Sequence, residues 1–144
     1  MSLVKDIILR EEGWRDRPYY CSENYPTVGY GFKLAGKGDP LPDFILPRQA
    51  GDAWLDVLIE DIRFEIQGRL AGLNEARQAI ILSMCYQMGI AGCLAFRNMW
   101  KAIDKRDFKK AAAEMKDSRW AMQTPARAKR HHDVMLSGSS DVIY

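Results

Sequence analysis

Long hydrophobic runs are missing from this 144-residue chain. None approaches the ~18 apolar residues that a membrane-crossing helix needs. The start, MSLVKDIILREEG, lacks a basic leader, an apolar core and a small-residue cleavage site. Histidine is scarce: only His131 and His132 occur. Adjacent residues point to different sides of a helix, so they cannot share a metal and read as surface residues. Cysteine is sparse and odd in number, at 21, 85 and 93, with no metal-binding spacing. That argues against a disulfide framework and for a reducing compartment. No metal or other cofactor is expected. Net charge is small, with 21 Lys and Arg against 19 Asp and Glu. A strongly basic nucleic-acid coat and an acidic tail are thereby excluded. The expectation is a soluble monomer made in a cytoplasm, without membrane insertion or nucleic acid as partner.

The charge that is present is uneven. Residues 1–96 hold 10 basic and 13 acidic side chains, whereas residues 97–131 hold 11 and 4. Solvated helix faces account for this as well as attraction to an extended polyanion does. A content of 47% hydrophobic and 28% charged residues is that of an ordinary globular domain.

Ser2, then Leu3, Val4, Ile7 and Ile8 on one side, then Gly13, predict a short amphipathic helix. Residues 14–34 place Trp14, Tyr19, Tyr20, Tyr25, Val28, Tyr30 and Phe32 among Pro18, Pro26, Gly29 and Gly31. That mixture predicts a small antiparallel hairpin or three-stranded sheet. A loop with at most one helical turn follows over 35–47. From Pro47, which suits a first turn, Ala50, Trp54, Val57, Leu58, Ile62 and Ile66 predict a long helix to about 70. Asn74 caps a helix to Gly89 that is apolar on nearly all sides, hence central. Shorter helices are predicted at about 93–104, at 107–117 behind Asp107, and at 125–136. The last has Thr124 as cap, Pro125 first and Gly138 as stop. The fold class is α+β, mostly α, in one domain.

Two candidate sites differ in strength. Gly31 to Gly38 matches most of a phosphate loop, but Gly38 replaces the hydroxyl residue and Asp39-Pro40 follows where a helix must begin. It reads as a flexible turn. Glu11-Glu12-Gly13 ends the first helix just before the aromatic sheet. A partly buried Glu there suits a general acid, because burial raises its pKa. Cys21 and Thr27 follow on the hairpin, and aromatic neighbours suit stacking on sugar rings.

The run Glu12-Gly13, Tyr20-Cys21 and Thr27-Val28-Gly29-Tyr30-Gly31 resembles the active-site segment of the T-even-type phage lysozymes, the endolysins of glycoside hydrolase family 24. Their pattern is Glu, eight residues, Asp or Cys, five residues, Thr. Two further blocks agree in order: Arg77-Gln-Ala-Ile with Met84 to Gly89, and Ser118-Arg119-Trp120 with Gln123 to Arg130. The resemblance runs from about residue 4 to 143 and is weakest over 33–60.

The resemblance implies a two-lobed, lysozyme-like fold. A β-containing lobe at about 13–47 and a linking helix at about 48–70 would join a helical lobe at about 71–144, to which helix 2–12 belongs. It implies a muramidase that cuts the β-1,4 bond between N-acetylmuramic acid and N-acetylglucosamine in peptidoglycan glycan strands. Glu12 would be the general acid, oriented by Arg127, and Thr27 would hold the attacking water. Tyr86, Gln87, Thr124 and Arg127 would lie on the helical side of the cleft. Cys21 stands where the better-known members place Asp. A thiolate there, favoured by Arg15, Arg17 or Lys33, would stabilise the transition state or attack the anomeric carbon, with Glu23 as a stand-in carboxylate. A silent wall-binding protein and a lytic transglycosylase are the competing readings on the same scaffold. Without a leader, the protein would collect in the host cytoplasm and reach the periplasmic wall through a membrane hole such as a phage holin makes.

Overall fold

The computed structural model describes residues 2–144. The Ser2 side chain accepts the Lys5 amide and caps α1 (Leu3–Glu12). Val4, Ile7 and Ile8 on its inner face are buried, and Gly13 closes it at a positive φ of 68°. A three-stranded antiparallel sheet follows, ordered β1 (Arg15–Tyr20), β2 (Pro26–Gly29), β3 (Phe32–Lys33). Tyr19 stands opposite Thr27, and Val28 opposite Phe32. Residues 34–47 form turns and extended chain without the helical turn considered above. Three prolines in this stretch remove the amide donors that a helix needs.

The 23-residue α2 (Arg48–Leu70) spans the expected 48–70, with Pro47 at its N-cap rather than in its first turn. Its buried stripe is Gly51, Leu55, Ile59, Ile66 and Leu70. Of the six apolar positions expected to line it, only Ile66 is fully buried. Val57 is 58% exposed. Trp54 instead stacks on Phe32 at 4.3 Å between ring centres, while Leu58 and Ile62 face an open cleft. A helix with three different neighbours has no single apolar stripe to read.

Asn74 accepts the Arg77 amide at 2.9 Å and caps α3 (Glu75–Met88). Every residue from Ala79 to Cys85 is buried, so this helix is the axis of the core. Around it lie α4 (Ile90–Leu94), α5 (Arg97–Asp104), α6 (Phe108–Lys116), α7 (Arg119–Gln123) and α8 (Pro125–Ser137). The helix expected over 93–104 is broken at Ala95 and Phe96. α7, which Ser118 caps, was not expected as a separate element. Thr124 does not cap α8 with its side chain. Its hydroxyl donates to the Trp120 carbonyl at 3.0 Å and so closes α7. Pro125 begins α8 and Gly138 ends it in the left-handed region. Because α1 packs on α3, the first helix belongs to the helical body and delivers its last residue to the edge of the sheet.

Two glycines of α2 test this packing against helix propensity. A Cβ on Gly51 would lie 2.4 Å from the Trp14 ring, whereas one on Gly68 meets nothing within 4 Å. Trp14 is held by Tyr30, at 4.7 Å between ring centres, and by the Arg48 guanidinium above it. Gly68→Ala is expected to stabilise by about 0.5–1 kcal/mol through backbone entropy alone. Gly51→Ala is expected to destabilise by about 1–3 kcal/mol through overpacking. Urea unfolding midpoints check both, and stabilisation by Gly51→Ala would refute the Trp14 constraint.

Candidate active site

Two carboxylates end α1, and their fates differ because adjacent positions on a helix point about 100° apart. The Glu11 side chain is 4% exposed. It accepts Arg130 Nε at 3.1 Å and Nη2 at 2.5 Å, and the Tyr144 hydroxyl at 2.5 Å. Burial alone would raise its pKa, but these donors outweigh that and hold it below the usual carboxylate range. Glu11 is therefore a structural anion. Glu12 turns the other way, into a cleft of about 750 Å³ between the sheet, α2 and the helices beyond α3.

Glu12 Oε1 accepts Arg127 Nη1 at 2.8 Å. Its Oε2 lies 3.1 Å from where a Cβ on Gly31 would stand. Gly31 has a φ of 81°, so both its backbone and its missing side chain suit glycine. Arg127 is 7% exposed, and its Nη2 also donates to Ser83 Oγ at 2.9 Å and to the Ser83 carbonyl at 3.3 Å. One oxygen of Glu12 is thus committed to a cation, and the other faces the glycine turn.

Of the other expected site residues, Tyr86 and Gln87 line the cleft. The Tyr86 hydroxyl donates to the Tyr30 carbonyl, and burial, followed by the nearby Glu12 charge, drives its pKa far up. Gln87 Oε1 accepts Trp120 Nε1 at 2.8 Å, which orients the indole at the cleft wall. Arg127 and Thr124 stand behind the lining rather than in it. Thr27 is 2% exposed and donates its hydroxyl to the Tyr25 carbonyl at 2.7 Å.

Cys21 lies in the turn one residue beyond β1, not on the strand, and is half-buried. Its Sγ accepts the Tyr25 amide at 3.4 Å. Burial pushes the thiol up, but the Tyr25 and Glu23 backbones and the Thr27 hydroxyl outweigh it and bring its pKa below the ordinary value. The basic side chains considered for this task are engaged elsewhere. Arg15 stacks on Tyr19, Arg17 faces Asp43 and Lys33 lies over Tyr25. Glu23, in the same turn, lines the cleft directly, as do Asp61 and Glu65 of α2. Those two acids carried no motif and escaped sequence reasoning, and only the helix phase places them. Cys85 and Cys93 are buried, as their helical settings suggested.

His131 corrects the expectation of a surface histidine: it is 0% exposed. It sits on the inner face of α8, where burial, followed by the charge of Arg127, pushes its pKa down to about 3 against the pull of Glu11. The unfolded chain binds this proton near the ordinary value of 6.5, and the folded one does not. Stability therefore falls as pH drops below 6.5, by at most about 1.4 kcal/mol per unit. Glu11, with an ordinary value of 4.5 that folding lowers, adds its own loss only below that point. Between pH 6.5 and 4.5 the unfolding free energy is expected to decline in the parent and to flatten in His131→Phe. Equal slopes in urea titrations across that window would place the titration elsewhere.

The sequence profile of the phage lysozyme family matches residues 9–131. The chain is 26% identical to the "Probable T4-type lysozyme 1" of Dictyostelium discoideum, over 96% of both chains. It is 27% identical to the pre-baseplate central spike protein Gp5 of Enterobacteria phage T4, covering 94% of this chain and 28% of that protein. It is 28% identical to the peptidoglycan hydrolase gp36 of Pseudomonas phage phiKMV, over 81% of this chain and 13% of that protein. It thus spans only a fraction of the two phage proteins and nearly all of the Dictyostelium one. The helical body, the small antiparallel sheet at its N-terminal side and the profile match from Leu9 to His131 together assign the chain to the phage lysozyme family of glycoside hydrolases.

Proposed function

We propose that the chain is a muramidase that hydrolyses the β-1,4 bond between N-acetylmuramic acid and N-acetylglucosamine in peptidoglycan strands, with Glu12 as its general acid. The observation that carries this reading is the division of labour on Glu12. Arg127 is donor-only and takes Oε1, so the catalytic proton belongs on Oε2, which faces the glycine turn beside the cleft. A sugar lying in the cleft would meet Trp120 as an apolar face, and Gln87 and Tyr86 as polar neighbours.

As the glycosidic bond breaks, Glu12 protonates the leaving oxygen and positive charge develops on the ring. Cys21, ionised, would answer that charge from the turn after β1, just behind the cleft lining that its neighbour Glu23 reaches. Its Sγ already accepts the Tyr25 amide, and the Thr27 hydroxyl can rotate from the Tyr25 carbonyl to the sulfur or to an attacking water. Peptidoglycan would be reached by a folded monomer released through a holin-type hole. Lys105, Lys109 and Lys110 would offer an exposed basic face to the anionic wall. Arg106 is spent on the Ala71 and Ile103 carbonyls.

Glu12→Gln is expected to lower glycan cleavage by ~10²–10⁴-fold, the usual share of general acid catalysis, with the fold intact. A folded variant keeping a tenth of parental lysis would move the acid elsewhere. Mass analysis of the fragments separates the competing chemistries, since hydrolysis leaves reducing ends and a transglycosylase leaves anhydro ends. Neither product would leave a wall-binding role.

The second role is decided by a series at the turn. Cys21→Asp should keep substantial activity, Cys21→Ala should lose most of it, and Cys21→Ser should fall near Ala because a hydroxyl does not ionise at neutral pH. Glu23→Gln should cost little. The opposite ranking in turbidity assays, with Glu23→Gln inactive and Cys21→Ala unaffected, would transfer the role to Glu23.

A further inference from the structure

Behind Glu12 a row of hydrogen bonds crosses the helical body. Arg127 Nη2 meets Ser83 Oγ at 2.9 Å, and Ser83 Oγ meets His131 Nε2 at 2.8 Å. His131 Nδ1 meets the Tyr144 hydroxyl at 2.9 Å, and that hydroxyl meets Glu11 Oε2. Both ends have a fixed sense. A guanidinium only donates, and an ionised carboxylate only accepts. Tyr144 spends its single proton on Glu11 and so must receive from His131 Nδ1. A neutral His131 then offers only a lone pair at Nε2, which takes the one proton of Ser83, whose oxygen keeps two lone pairs for Arg127. One arrangement then satisfies every link: Arg127 donates to Ser83, Ser83 to His131 Nε2, His131 Nδ1–H to Tyr144, and Tyr144 to Glu11. The imidazole is thereby fixed as the Nδ1–H tautomer.

We propose that His131 is a positioning residue for the Glu12 acid, acting through Ser83 and Arg127, and that the Nδ1–H tautomer is what lets it do so. The proposal rests on the reading of Glu12 given above. Arg127 approaches Glu12 with Nη1 and Ser83 with Nη2. Its Nε has no partner of its own. Nη2 is shared between the Ser83 carbonyl at 3.3 Å and Ser83 Oγ at 2.9 Å. With the carbonyl fixed in the helix, the tilt of the guanidinium plane, and with it the direction of Glu12 Oε2, responds to where the Ser83 hydroxyl presents its lone pair. A serine hydroxyl rotates freely unless its proton is claimed, and His131 Nε2 claims it.

A doubly protonated imidazole would reverse this link. Both ring nitrogens would donate, and Ser83 Oγ would receive two donors with its own proton displaced. The charged groups facing the ring are Arg127 and Arg130 on its own helix and Glu11 on α1, with Tyr144 closing the remaining side. Burial disfavours the charged ring most, and the two arginines add to that against the single pull of Glu11, so the ring is held neutral. The Trp120 ring packs against it at 5.8 Å, so an aromatic replacement keeps the packing while losing the hydrogen bonds.

Long-range proton–nitrogen NMR on the full, unliganded chain should show His131 neutral at pH 6 with its proton on Nδ1. An Nε2–H ring in a protein whose Glu12→Gln variant is inactive would overturn this proposal alone. Activity in Glu12→Gln would instead remove the reading beneath it. In kinetics on glycan fragments, His131→Phe and Ser83→Ala should each lower kcat by about 10- to 100-fold, the scale of a misplaced reacting group, with KM unchanged. Because both act through one link, the double variant should be no slower than the slower single one. Multiplying losses would mean independent structural effects and would sink the idea. His131→Gln places an amide where Nε2 stood and should recover most of kcat, whereas His131→Asn reaches only the Nδ1 position and should not. If His131→Phe does not fold, Ser83→Ala and the Gln and Asn pair decide the matter by the same criteria.

Discussion

A buried guanidinium must be answered on several sides at once, and Arg127, carried by one helix, is answered by two others. Glu12 of α1 supplies the counter-charge, Ser83 of α3 supplies a hydroxyl and a carbonyl, and α8 supplies the backbone that carries the arginine. Burying a charge without such partners costs several kcal/mol. The three helices must therefore dock in one relative position for the core to close. The same contact leaves only one oxygen of Glu12 available for chemistry. The docking of helices and the aim of a cleft carboxylate meet in this one ion pair.

The neighbouring pair shows how little sequence separates an enclosed carboxylate from one that faces the cleft. Glu11 and Glu12 share a helix end, a residue type and an arginine from α8 each. Arg130 and Tyr144 surround Glu11 and hold it as an anion, whereas only one side of Glu12 is engaged. A second donor on Glu12 would leave no oxygen for a proton. The unfilled side is kept open by Gly31, whose positive φ and absent Cβ let the turn pass close to Oε2.

Most of the fold was legible because its signals were local. Ser2, Asn74 and Asp107 act as side-chain caps where they were expected to, and the aromatic stretch before residue 34 does form the sheet. The errors arose where tertiary partners override a local pattern. Val57 has the right spacing for a buried stripe but points to solvent, since α2 answers to the core, the sheet and the cleft. Thr124 has the right residue type for a cap but spends its hydroxyl on the preceding helix. His131 carried no signal of burial, because its partners are Ser83, 48 positions away, and Tyr144, 13 positions away. In the site, Glu12, Tyr86 and Gln87 were legible as candidates. The exposure of Glu23 to the cleft, the place of Cys21 in a turn and the acids of α2 required the folded phase of each element.

The Glu12–Arg127 pair closes a separation of 115 residues. On a ribosome working at ~5–20 residues per second, the acid is made roughly 6–23 s before the cation that orients it. During that interval the nascent chain has Glu12 but neither the arginine nor the helix that carries it. A polypeptide that stops before α8 therefore carries Glu12 without the cation that pairs with it.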